Sequence, residues 1–118
     1  MISTFGSRIP PGVALGLAAA LAAGCATSPP QPPPTKELQA AESSIVGAER
    51  TGATQYAPQE LRIAREKLGA GHRAQQDGHM ALAKRAAEQA HADAQLATVR
   101  TQAAIARADA DKVKGEIR

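Results

Sequence analysis

The sequence predicts an all-α protein, a helical hairpin or three-helix bundle with a long C-terminal helix. Three observations carry that prediction. Alanine, the best helix former, is the commonest residue. Aromatic residues make up only 2% of the chain, and runs rich in Thr, Val and aromatics, the usual strand material, are missing. Apolar residues recur at spacings of three and four, the period of one helix face.

The elements follow in order. Residues 1–24 have the three parts of a secretory signal: a short basic end whose only charged side chain is Arg8, an uncharged Ala/Leu/Gly run from Val13 to Ala23, and small residues up to Gly24. That run is about 11 residues long, whereas a bilayer span needs about 20. The signal is therefore expected to be removed and not to remain as a transmembrane helix. It ends at Cys25, the only cysteine. A lone cysteine closes no internal disulfide. Leu21-Ala22-Ala23-Gly24-Cys25 resembles the bacterial lipobox, with Leu one position earlier than in the commonest form. The resemblance implies cleavage between Gly24 and Cys25 and acylation of the Cys25 sulfur. Several acyl chains on one residue anchor stably where a single chain is marginal. By the same resemblance, Ala26 and Thr27 in place of an Asp favour the outer membrane, facing the periplasm, in a Gram-negative source.

Residues 25–35 continue as a tether. Pro29-Pro30-Gln31-Pro32-Pro33-Pro34 favours extended polyproline II and cannot enter a helix. At about 3.1 Å per residue such a segment spans roughly 30 Å.

Residues 36–118 form the expected helical domain. Thr35 is placed to cap a first helix running to about Thr51, with Leu38, Ala41, Ile45 and Ala48 on one face and Gly52 at C′. Pro58 suits the first position of a second helix and Glu60 the third. Tyr56 and Leu61 occupy the hydrophobic-staple positions around its start. Ala64 and Leu68 continue the apolar face, and Asp77-Gly78 marks the stop. A third helix is expected from about His79 to Lys114, about 54 Å at 1.5 Å per residue.

This last helix carries two seams on near-opposite sides. One is Ala83, Ala87, Ala90, Ala94, Ala97, Thr101, Ala104 and Ala108; the other is Leu96, Val99, Ala103, Ala106, Ala110, Val113 and Ile117. The first helices are expected to pack on the first half of the small-residue seam. The second half then overhangs, with Leu96, Val99, Val113 and Ile117 as a contact seam for a second copy or another envelope protein. The core is thin, and so short a chain gains from such help.

Composition narrows the function classes. The chain has 118 residues with 14 Lys and Arg against 11 Asp and Glu, a formal net charge of +3. The two signs alternate, which reads as a solvated face and not as the basic stripe with stacking aromatics that nucleic acid wants. His72, His79 and His91 are the candidate metal ligands. They form no i, i+4 pair and no cysteine joins them, so no metal site is expected. Asp109 and Asp111 are two apart and point different ways on a helix. No nucleophile with a base, phosphate loop or paired carboxylates is legible. No enzyme activity, cofactor or small-molecule substrate is expected.

Gly52-Ala53-x-x-Tyr56-Ala57-Pro58-x-Glu60-Leu61-x-x-Ala64-x-x-Lys67-Leu68 resembles a widespread bacterial domain of unknown function found in small alanine-rich envelope lipoproteins, sometimes joined to an OmpA-like peptidoglycan-binding domain. Ala74-x-x-x-Gly78-x-x-x-Leu82-Ala83, Ala90 and Asp93-Ala94-x-Leu96-Ala97 fit the same pattern, so the resemblance spans roughly residues 38–98. It implies a helical envelope domain and assigns no catalytic residue. The segment also looks like a degenerate tetratricopeptide hairpin, a unit that needs stacked neighbours to make a peptide groove. The function expected is a non-catalytic, lipid-anchored periplasmic spacer or protein-interaction adaptor. The alternative is a small membrane-active or stress-related lipoprotein whose helix lies on lipid, against which Asp109, Asp111 and Glu116 argue. Covalent attachment to peptidoglycan, as in the major outer-membrane lipoprotein, expects a C-terminal Lys where this chain has Arg118.

Overall fold

The computed structural model describes residues 29–118, of which Gln31–Arg118 form one contact unit. The signal expected at residues 1–24, the cleavage expected between Gly24 and Cys25 and the acylation expected at Cys25 therefore lie outside the described residues. The described chain is all-α. Its helices are α1 (Thr35–Thr51), α2 (Ala53–Tyr56), α3 (Pro58–Gln76) and α4 (Met80–Ile117).

Pro34, not Thr35, caps α1: the Leu38 N–H donates to the Pro34 carbonyl at 3.0 Å, and Thr35 is already helical. No side chain caps this end. Proline fits because a cap position needs its carbonyl, not its N–H. Gly52 ends α1 in the left-handed region (φ 98°), its N–H reaching the carbonyls of Ala48 and Glu49, as the sequence predicts. The single turn of α2 was not anticipated. It stops because Ala57 precedes Pro58, and the proline ring pushes its neighbour out of helical geometry; Ala57 has φ −141°. Pro58 then opens α3 at its first turn. At the far end the His79 N–H donates to Ala74 O (2.8 Å) and the Gly78 N–H to Gln75 O (3.1 Å), with Gly78 at φ 79°. This is a Schellman closure, and it turns the chain into α4.

Cross-helix pairs give the topology. Glu37 pairs with Lys84 and Ser44 with His91, so α1 and α4 run parallel. Glu49 pairs with Arg65 and Glu42 with His72, so α3 runs antiparallel to α1. Lys67–Asp93 and Glu60–Arg100 show the same for α3 and α4. The alternating charges of the sequence thus tie three helices together on their outer edges.

The core is built mainly from alanine. Leu38, Ala41, Ile45 and Ala48 of α1, Leu61 and Ala64 of α3, and Ala83, Ala87, Ala90, Ala94, Ala97 and Thr101 of α4 are buried, joined by Ala53 and Ala57. Small side chains let the backbones come close. One close approach is at Gly71, where an added Cβ would lie 3.1 Å from Leu38 Cδ2 and 3.3 Å from the Ala83 carbonyl oxygen. The first helices were expected to cover the first half of the small-residue stripe of α4 and to leave the rest overhanging. They cover it somewhat further, as far as Thr101, because α1 ends at Thr51 and α3 begins at Pro58, level with that residue. Beyond Thr101 every residue is exposed except the half-buried Ala104. The last four turns of α4, roughly 24 Å at 1.5 Å per residue, project past the bundle. Among the described residues no helix is long and apolar enough to cross a membrane.

Candidate functional site

The three histidines lie in three different places. His72 Nε2 lies 3.0 Å from Glu42 Oε1. His79 sits at the start of α4. His91 joins α4 to α1: its Nδ1 is 2.6 Å from Ser44 Oγ and 3.3 Å from the Ala40 carbonyl oxygen. Among the described residues no cluster of three or more His, Cys, Asp or Glu could hold a metal ion.

Sequence reading missed the Ser44–His91 pair, because the two residues are 47 apart and only the parallel register of α1 and α4 brings them together. The Gln95 side-chain amide lies 3.1 Å from the other ring nitrogen, Nε2. The Ser44–His91 pair works as a clasp between helices.

Asp109 and Asp111 lie on the projecting turns, each near a lysine one turn on: Lys112 at 3.7 Å and Lys114 at 4.0 Å. The Tyr56 ring lies on the surface against Gly52, 3.6 Å from where a Cβ there would stand. A shallow open groove between α1 and α4, lined by Ser44, Gly47, Thr51, Gln95, Thr98 and Val99, adjoins the start of the projecting segment. Thr101, at the level of the bundle's end, is fully buried, and its hydroxyl has no hydrogen-bond partner.

What stands out is the outer face of α4. Leu96 is 42% exposed, Val99 60%, Val113 55% and Ile117 80%. All four lie on the side opposite the buried stripe, as their two-residue phase offset requires at 100° per residue. They form one row with the exposed Ala103, Ala106 and Ala110. The half of this row before Thr101 is backed by the bundle, and the other half by solvent on all sides.

Residues 36–113, more than half of the chain, match a family described as a domain of unknown function, DUF4398. The chain belongs to that family. The match runs past residue 98, where the resemblance read from motifs stops, and takes in the projecting turns as far as Val113. No curated protein and no solved structure matches the chain.

Proposed function

We propose that this protein is a non-catalytic, lipid-anchored protein of the cell envelope that acts as a spacer or interaction adaptor. One observation carries the reading: the family domain runs into the helical turns that leave the bundle, as far as Val113, with an apolar row on the face turned away from its core. A helix exposed on every side adds little to the stability of its own chain, since helices draw most of theirs from packing. Apolar side chains repeated along one face of it, ending in the larger Val113 and Ile117, suit a surface to be covered. The charges on these turns are nearly balanced: Arg107, Lys112, Lys114 and Arg118 against Asp109, Asp111 and Glu116. That mixture suits a protein partner better than a lipid surface, which favours a strongly basic polar face. Anchoring rests on the lipobox resemblance at Cys25, and the proline run supplies the tether.

Fractionation and crosslinking of the chain in intact bacterial cells test this together. The chain is expected in the membrane fraction, crosslinked there to itself or to another envelope protein, and released by Cys25→Ala. A soluble chain with Cys25 intact would overturn the anchor. A membrane-bound chain that crosslinks to nothing would overturn the adaptor.

A further inference from the structure

We propose that the outer row of α4 is a parallel, in-register interface with a second copy of this chain. The proposal deepens the adaptor reading by naming the partner. It rests on the row being a contact surface and on the charges beside it; the lipid anchor adds to it and is not required.

The spacing is that of a coiled coil. Leu96, Val99, Ala103, Ala106, Ala110, Val113 and Ile117 alternate steps of three and four, the a and d positions of three heptads. Upstream the equivalent places are Ala92, Gln89, Arg85 and Leu82, so the polar Gln89 and Arg85 interrupt the row before it reaches Ala92 and Leu96. The row lies opposite the stripe that packs on α1 and α3. Two α4 helices can therefore meet along it with each copy's other helices on the far side.

Charge selects the occupant and its direction. In this register the e positions are Arg100, Arg107 and Lys114, all basic, and the g positions are Gln95, Gln102, Asp109 and Glu116. An antiparallel copy sets e against e, and so basic side chains against basic ones whatever the stagger. A parallel copy sets each g against the e of the next heptad. The pairs are then Gln95 with Arg100, Gln102 with Arg107 and Asp109 with Lys114, each made twice by symmetry. Arg100 already pairs with Glu60 of its own chain, which leaves Asp109–Lys114 as the pair that reads direction. The chain's polarity agrees. Because α1 and α4 run parallel, the proline segment Pro32–Pro34 enters beside Met80 and Lys84, at the end opposite the projecting turns. Two copies tethered to one membrane meet in the same direction.

Three of the seven contact positions are alanine, which permits close approach but supplies little apolar area. The pair is therefore weak in dilution and favoured where tethering raises the effective concentration. Disulfide trapping suits such an interface, because in a parallel in-register pair each d residue faces its own copy.

The experiment uses the full chain, in cells with Cys25 intact and as purified Cys25→Ser protein at high concentration. Ala106→Cys and Val113→Cys are compared with Ala108→Cys, on the opposite side of the same turns. Mild oxidation is expected to give disulfide dimers at the first two positions and to leave the third at the level of the parent chain. Asp109→Lys in the Val113→Cys background should lower trapping severalfold, and adding Lys114→Glu should restore it. Equal trapping at all three positions overturns the proposal. So does a Val113→Cys chain that traps Leu96→Cys but not itself, which means an antiparallel pair. If no position traps a second copy while a crosslinker placed at Val113 captures a different envelope protein, self-pairing fails and the adaptor reading stands. If nothing is captured there, both fail.

Discussion

Gly71 and Gly47 make a matched pair for testing whether the three helices approach as closely as the structure places them. Both lie inside helices, where replacing Gly by Ala gains about 0.5–1 kcal/mol by reducing backbone entropy in the unfolded chain. Their surroundings differ. A Cβ at Gly47 meets nothing within 4 Å. At Gly71 it meets Leu38 Cδ2 at 3.1 Å, the Ala83 carbonyl oxygen at 3.3 Å and Ala86 Cβ at 3.6 Å. Leu38 is buried and cannot swing into solvent, and the Ala83 oxygen is backbone held within α4. Relief requires α3 to move away from α1 and α4, with an overpacking cost of about 1–3 kcal/mol. Gly47→Ala should therefore stabilise by about 0.5–1 kcal/mol. Gly71→Ala should be neutral or destabilise by up to about 2 kcal/mol once the same gain is set against the clash. For a domain of this size each kcal/mol moves the thermal midpoint by about 4–8 °C, so the two variants should melt at clearly different temperatures. Helical circular dichroism of residues 26–118, followed through heat and urea, reads the difference. Gly71→Ala melting above the parent by as much as Gly47→Ala would falsify the three-helix contact.

The remaining predictions concern the end of the bundle and the row beyond it. Thr101→Val replaces a buried, unpartnered hydroxyl with a methyl of similar shape and should raise stability by about 1 kcal/mol in urea melts; a loss of stability would mean that the hydroxyl is satisfied. Gly52→Ala forces a Cβ into the left-handed region at φ 98° and should cost about 1–2 kcal/mol, whereas Gly78→Asn, in a residue type that tolerates this region, should cost less; equal costs would refute the conformational argument. Val99→Asp together with Val113→Asp should abolish self-association in sedimentation at high concentration while leaving helicity near the parent's, because neither side chain touches the core. Loss of helix in that variant would show that the row supports its own fold.

Much of this fold is legible along the chain, because its signals are local. Gly52 and Gly78 mark helix ends through backbone conformations that a side chain disfavours. Pro58 marks a start by an N–H that it lacks. The faces of α1 and α4 follow from residues three and four apart, a spacing fixed by the helix itself. The outer row could be named for the same reason, since its larger side chains fall on the side away from the small ones. Local strength also misleads: Thr35 has the usual chemistry of a cap, but Pro34 provides the carbonyl, and the helix starts one residue earlier than a threonine cap implies.

What the sequence by itself determined is therefore the three long helices and their apolar faces, properties of residues near one another in the chain. The tertiary structure alone decided where those helices stop covering one another. The burial of Thr101 and the exposure of Ala108 have no local cause, since both belong to one unbroken small-residue stripe. They differ because α1 ends and α3 begins level with Thr101. The clasp of Ser44 on His91, the pinch at Gly71 and the charge pairs across helices likewise depend on the register between α1, α3 and α4. Register is set by the packing of distant segments, whose contacts no spacing within a single segment records.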